Sequence, residues 1–257
     1  MKPETTLVYD GSFNGFLTAV FDAFDQKLNV VDIQRNGKCQ NGLFSGSQIV
    51  FTQVDKAKRV WNGIGNKSRN ALANVYFAFL SEAEAVEPKL YSYIQNLMRS
   101  PKGSPMDHTQ DTVSQLEQLA RKVGREKHRM EALTQFQKSQ DNIQYALINP
   151  DYIVLPLISK HFRSRHPDQS WLIYDLKRAY GIFYDGSFVE MVTLDPKVLQ
   201  LERSIAKHAD PHGPHHGQGP SVDHFRNRRI KSSIRPKLHA RTIPKHGMYG
   251  SVEQQAV

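Results

Sequence analysis

An α+β fold is what this sequence predicts, and three observations predict it. Short β-like runs open the chain. Apolar residues then recur with a helical period through the middle. A second set of β-like runs, separated by turn residues, fills 143–193. The expected arrangement is a helical middle section with short N-terminal strands and an antiparallel hairpin region near 143–193. One domain is expected over 1–196, because the loop candidate "SPKGSPM" at 100–106 is short. A basic C-terminal extension is expected over 197–257, with a His/Gly/Pro-rich linker at 208–224.

Taken in order, "TLVYD" reads as a strand ending in an Asp-Gly turn, with Ser12 placed to cap a helix. That helix carries Phe13, Phe16, Leu17, Val20, Phe21 and Phe24, whose spacing makes one wide apolar face. "NVVDIQ" and "SQIVFTQV" read as strands around a Gly-rich stretch. Helical stripes follow at Ala71, Leu72, Val75, Tyr76, Phe79 and Leu80, and at Leu90, Tyr93, Ile94, Leu97 and Met98, with Pro88 marking the join. A third helix starts at Val113 and Leu116 and continues past Gly124 through Met130, Leu133 and Phe136. "IQYALINPD" is a strand that stops at Pro150. Asp151 is placed to cap a helix with Ile153, Leu157, Ile158 and Phe162. "SWLIYDL" and "AYGIFYDGSFVEMV" are strands, with Asp185-Gly186 as a tight hairpin turn. A short helix is expected from about 196 to 207.

The pentapeptide YDGSF occurs twice, at 9–13 and 184–188. The first copy precedes a 3.6-residue pattern and the second sits within a two-residue pattern. An internal repeat would share its flanking periodicity, so the common part is turn chemistry alone.

Charge is unevenly spread. Residues 1–196 carry 23 Lys+Arg and 21 Asp+Glu, a net of +2, while residues 197–257 carry 11 and 4, a net of +7. "FRNRRIKSSIRPKLHARTIPKHGMYG" at 225–250 holds eight Lys/Arg and no acid, with Arg226, Arg228 and Arg229 at its start. A basic segment on a nearly neutral body points to a polyanionic partner, most simply nucleic acid, unless it only solubilises the chain.

Two further basic knots fit the same partner. "ARKVGREKHRM" sets Arg121, Lys122, Arg125, Lys127, His128 and Arg129 within little more than two helical turns. Like charges so spaced repel unless a phosphate lies between them, or unless Glu117, Glu126 and Glu131 compensate on a solvated face. "SKHFRSRHPDQSW" sets Lys160, His161, Arg163, Arg165 and His166 at a predicted helix end, where cations also suit the helix dipole. Phe162 and Trp171 fit a stacking role or, with their apolar neighbours, the core.

Other chemistry is weakly signalled. Phosphate-loop, metal-helix and nucleophile-elbow motifs are absent, and "GIGNKS" at 63–68 lacks the phosphate-loop spacing. Cys39 is the only cysteine, which excludes an internal disulfide, a four-cysteine zinc site and a self-contained iron–sulfur cluster. Lys38 beside it would favour a thiolate, yet no His is close in sequence. His208, His212, His215, His216 and His224 are too loosely spaced for a metal site, so no cofactor or metal is expected. No apolar run approaches the roughly 18 residues of a membrane span, and the N-terminus lacks the apolar core of a signal peptide. A cytoplasmic protein without membrane contact is expected.

Several stretches together resemble one bacterial family of unknown function, described as DNA metabolism or DNA repair proteins. "YDGSFNGFLTAVFDAF" is similar to its opening signature, "EKHRMEALTQF" to its central helix, and "YALINPDYIVLPLISKHFRSRHPDQSWLIYDLKRAYGIFYDG" to its most distinctive block. "IRPKLHARTIPKHGMYG" matches its basic C-terminal segment less well, departing at 243–249 from a Met-Pro-Arg-Tyr-Trp-like ending. The resemblance implies DNA as context. It also implies a radical-SAM protein of DNA modification or repair as neighbour, or fusion to a uracil-DNA glycosylase-like domain. It carries no catalytic residue.

The function expected is a DNA-metabolism accessory protein that binds nucleic acid and works beside a radical-SAM or glycosylase-type enzyme. Its binding residues would be Arg121, Lys122, Arg125, His128, Arg129, Lys160, Arg163, Arg165, Arg226, Arg228 and Arg229. One alternative is a self-contained nucleic-acid-processing enzyme using His128, His161, Asp151 or Asp175. Another is a protein–protein adaptor without direct DNA contact.

Overall fold

The computed structural model describes residues 3–37, 46–101, 111–139, 142–194 and 234–236. The expected α+β class is what it shows: six helices and two sheets among the described residues. These residues divide into two compact units, one ending at Arg125 and the other beginning at Glu126. The single domain expected over 1–196 therefore spans parts of both.

The first unit is built on a parallel sheet. Strand β1 (Glu4–Tyr9) lies between β2 (Asn29–Arg35) and β3 (Gly46–Ile49), and helix α1 (Phe13–Asp25) connects β1 to β2. A parallel pair needs such a crossover, because a tight turn cannot return the chain in the same direction. Ser12 caps α1 as the sequence indicates, its hydroxyl accepting from the Gly15 N–H at 2.7 Å. Phe13, Phe16, Leu17 and Val20 are buried, while Phe24 at the far end of the stripe is 39% exposed. The Phe13 ring meets Trp61 at 5.5 Å and Tyr76 and Phe79 at 5.0 Å each.

Three further helices complete this unit: α2 (Val54–Lys67), α3 (Arg69–Leu80) and α4 (Val86–Arg99). Helix α2 is a departure from the sequence reading, which carries a strand into 52–54 and leaves 55–67 without an element. "GIGNKS" is therefore the last turn of a helix and the cap after it, not a loop. Gly63 sits where a Cβ would come within 3.3 Å of Met98, so close packing accounts for a glycine in mid-helix. Pro88 lies in the first turn of α4, where its missing N–H costs no helical hydrogen bond.

A buried ion pair fastens α4 to the sheet. The Glu87 carboxylate accepts from Arg35 Nε at 2.6 Å and from the Tyr9 hydroxyl at 2.9 Å. Burial, and then the Glu87 charge, push the Tyr9 phenol well above its ordinary range, so it serves as a neutral donor. The first YDGSF copy thus supplies a core tyrosine, a turn and a helix cap.

Helix α5 (Asp111–Leu133) runs unbroken across the boundary between the units. It ends before Phe136, which the sequence reading includes in the helix. The second unit holds a six-stranded sheet in the order β4-β5-β6-β7-β8-β9. These are β4 (Gln137–Lys138), β5 (Gln144–Ile148), β6 (Trp171–Asp175), β7 (Tyr180–Tyr184), β8 (Val189–Leu194) and β9 (Ile234–Pro236). All neighbours are antiparallel except β5 and β6, which run parallel because α6 (Leu155–Arg165) crosses between them. Side chains alternate across the sheet. Ala146, Ile148, Trp171, Ile173, Ile182 and Tyr184 pack with Val154, Ile158 and Phe162 of α6 and its approach, while Tyr145, Leu172, Tyr174 and Val192 form the opposite face. Three residues of the basic C-terminal segment, Ile234–Pro236, supply the sixth strand. The expected short helix and His-rich linker lie outside the described residues.

Asp151 does not cap α6. The cap position is Val154, without a side-chain bond, and the Asp151 N–H donates instead to the Glu126 carboxylate at 3.0 Å. The hairpin turn is where the sequence puts it. Asp185 Oδ1 accepts from the N–H groups of Ser187 and Phe188, each at 2.7 Å. In the first copy Asp10 Oδ1 accepts from the Ser12 N–H at 2.9 Å. Gly11 and Gly186 take φ of 80° and 103°, which only glycine adopts without strain. The two copies share an Asx turn and diverge after it, one into a helix and one into a strand.

Replacing Glu87 by Gln removes the charge that Arg35 and Tyr9 share while keeping the side chain's size. Urea unfolding of the variant is expected to show a loss of about 1.5–3 kcal/mol, the range for a hydrogen bond to a charged group. An unchanged midpoint would show the pair to be idle.

Candidate functional site

The second unit contains an open cavity of about 400 Å³ where the end of α5, strand β4 and the end of α6 meet. That is within the range of small-ligand pockets. Its apolar wall is Phe136 and Phe162, and His166 stands against Phe136 with ring centroids 5.2 Å apart and planes 75° apart. Phe136 also meets Phe162 at 5.4 Å and Trp171 at 6.3 Å. The polar wall is Gln135, Gln137 and Gln144. The Gln137 carbonyl is taken by the Tyr145 hydroxyl at 3.0 Å, which leaves its amide donors available. The Gln144 amide donates to the Gln169 carbonyl. Register explains how residues far apart in sequence gather here: Lys138 pairs with Gln144 and Gln137 with Tyr145 across β4 and β5.

Arg165 and Lys138 add positive charge to the lining, and Glu131 adds one carboxylate. Glu131 is met by Lys127 at 3.6 Å and His128 at 3.3 Å. Burial, followed by the charges of Arg165 and His161, holds the His166 imidazole below its ordinary range, so it is neutral at pH 7. His161, five residues earlier, lies against Phe162 at 5.0 Å with its Nε2 buried and without a hydrogen-bond partner among the described residues.

The two basic knots fare differently. On α5 most cations face a carboxylate: Arg121 is 3.7 Å from Glu117, and Arg129 bonds Glu126 at 2.7 Å and approaches Asp151 at 3.5 Å. Lys122 and Arg125 are exposed. Arg121, Lys122 and Arg125 belong to the first unit, and His128 and Arg129 to the second. On α6, Lys160, Arg163 and Arg165 have no carboxylate within ion-pair distance among the described residues. Lys160 and Arg163, three apart, share one side of the helix, and Arg165 lies above Phe162 at the cavity. Arg163 and Arg165 also occupy the last turn, where they complement the helix dipole. Arg226, Arg228, Arg229, Cys39 and the five clustered histidines lie outside the described residues.

None of the four candidate acid–base groups lines the cavity. Asp175 is fully buried at the end of β6. Its carboxylate accepts from the N–H groups of Lys177 and Arg178 and from Arg178 Nη1 at 2.9 Å. Arg178 in turn donates to the carbonyls of Pro150 and Asp151. Asp151 and Asp175 thus sit on one network that fixes the β5–α6 loop, while His128 serves Glu131 and His161 serves the aromatic wall.

The sequence reading includes Arg165 as a site residue and names His166 only as part of the basic knot; Phe136, Gln135, Gln137 and Gln144 are not among its site residues. The one local signal was the "TQFQK" pattern of amides around an aromatic, which is weak without the strand pairing. Among the described residues no helix is long and apolar enough to cross a membrane. A family model described as a domain of unknown function, DUF4130, matches residues 84–248. The second YDGSF copy falls within that match and the first outside it. No curated protein matches the chain.

The lowered His166 basicity makes stability depend on acidity. The unfolded imidazole titrates near 6.5 and the folded one below that. The unfolded state therefore binds the proton first, and stability falls as the pH drops through the window just below 6.5. Unfolding midpoints of His166→Gln are expected to fall less on acidification than those of the unaltered protein. Equal falls would remove His166 from the account.

Proposed function

The chain belongs to the DUF4130 family, and from that premise we propose that it is a nucleic-acid-binding accessory protein of DNA metabolism. The observation that carries this reading is the end of α6, where Lys160, Arg163 and Arg165 have no carboxylate within ion-pair distance among the described residues and Arg165 lines an aromatic cavity. Cations left unpaired on a protein surface are suited to phosphates, whose contacts release condensed counterions. The net of +7 over 197–257 adds attraction for the same polyanion. Lys122 and Arg125, both exposed, extend the phosphate-contacting set on α5, while Arg121 contributes less because Glu117 faces it at 3.7 Å. Arg129 and His128 contribute less, because Glu126, Asp151 and Glu131 already meet them.

The accessory role is favoured over a self-contained enzyme by how the titratable groups are used. Asp175 and His128 are engaged in pairs that hold local structure, and the Asp151 carboxylate, exposed to solvent, faces Arg129 at 3.5 Å. The chemistry would come from a separate enzyme of DNA repair, a radical-SAM or glycosylase-type protein, as the sequence resemblance implies. A protein–protein adaptor is the second reading. The observation behind it is the exposure of Ile49, Phe51 and Val54, which are 68%, 78% and 49% accessible.

Fluorescence anisotropy of the full chain with labelled single-stranded and duplex DNA across a salt series tests the first reading. Log affinity is expected to fall linearly with log salt. Arg163→Gln/Arg165→Gln is expected to reduce the slope by about 2, roughly one per lost phosphate contact. Absence of binding at low salt would overturn the reading. Retention of an enzyme partner that is lost in Phe51→Ser, without any DNA affinity, would establish the adaptor instead.

A further inference from the structure

We infer that the cavity between α5, β4 and α6 takes one unstacked nucleobase, so that the protein recognises single-stranded rather than paired DNA. This rests on the nucleic-acid reading and specifies the form of substrate. Three features of the cavity carry it. Its volume of about 400 Å³ leaves room for a base and part of its sugar. Its apolar wall is aromatic: Phe136 beside His166 offers π surface, and a flat heteroaromatic ring is the ligand that such a surface favours. Its polar wall is made of amides, and an amide carries both a donor and an acceptor, the pattern needed to meet a base edge. Gln137 keeps its donors, since Tyr145 occupies only its carbonyl.

Charge around the cavity fits the remainder of a nucleotide. Arg165 and Lys138 in the lining supply the cations for a phosphate, and Lys160 and Arg163 continue the positive surface along α6. Among the described residues Glu131 is the one carboxylate of the lining, and Lys127 and His128 hold it. It is suited to accept from a base N–H and unsuited to a phosphate. A base within a duplex is stacked on both faces and paired at its edge, so it reaches such a cavity only after leaving the stack. Single strands carry no such cost.

The test compares three probes of equal length on the full chain: labelled oligothymidylate, a strand of abasic residues with the same phosphates, and a blunt duplex. Oligothymidylate is expected to bind at least about fivefold tighter than either of the others, the lower end of what stacking one base contributes. Ala132→Trp places a bulky side chain at an exposed helix position lining the cavity. It is expected to abolish the preference while leaving duplex affinity unchanged, with a melting curve like that of the unaltered protein. Equal binding of the abasic strand and oligothymidylate would overturn the base pocket and leave phosphate binding standing. A preference that survives in Ala132→Trp would place the base elsewhere and overturn it too. Failure of all three probes to bind, or equal competition by polyglutamate, would overturn the nucleic-acid reading itself.

Discussion

Phe136 packed against Phe162, His166 and Trp171 is the contact on which the second unit's site depends. The residue lies just beyond the end of α5, ahead of β4. Its ring fastens that connection to the end of α6 and the start of β6 together. Once it is placed, β4 must run alongside β5, which brings Gln137 and Gln144 to one wall. The end of α6, with Arg165 and His166, forms the facing wall. An apolar requirement, burial of an aromatic ring beside the sheet, thereby fixes the position of polar groups that have no strong contacts among themselves.

The cations of this chain fall into two kinds, and geometry separates what sequence could not. On α5 the spacing of Glu117, Arg121, Glu126, Arg129 and Glu131 lets acids and bases meet at three or four residues apart. Such pairs contribute little stability when exposed, but they neutralise charge that would otherwise face a partner. Helix α6 itself contains no acid, and Asp168 just beyond it is not within ion-pair distance of Arg165, so Lys160, Arg163 and Arg165 have no carboxylate partner among the described residues. The same length of basic sequence is a mostly compensated surface in one helix and an open one in the other.

Much of the fold was legible because it follows from periodicity. The cap at Ser12, the stripe of α1, the α3 and α4 helices and the Asp185-Gly186 hairpin each rest on local chemistry. Helix α2 was not legible despite Ala57, Val60, Trp61 and Ile64 at helical spacing, because Gly63 and Gly65 argue against a helix, and only the close approach of Met98 to Gly63 in the fold accounts for one of them. Asp151 suits a cap by sequence position, but α6 begins only at Leu155 with Val154 at the cap position, three residues beyond it. The site was half legible. Arg165 and His166 stand in a basic cluster that announces itself, whereas Phe136, Gln137 and Gln144 read as a helix tail and a strand start. Their meeting depends on strand register and on the α6 crossover, and neither is encoded locally.

The claim that this cavity and the end of α6 meet nucleic acid is open to one direct measurement. A single strand carrying 5-iododeoxyuridine can be photo-crosslinked to the full chain and the adducts mapped by mass spectrometry. Adducts on Phe136 or His166, suppressed by an excess of unlabelled single strand, are the predicted result. Adducts confined to residues outside 131–138 and 162–166 would contradict the account.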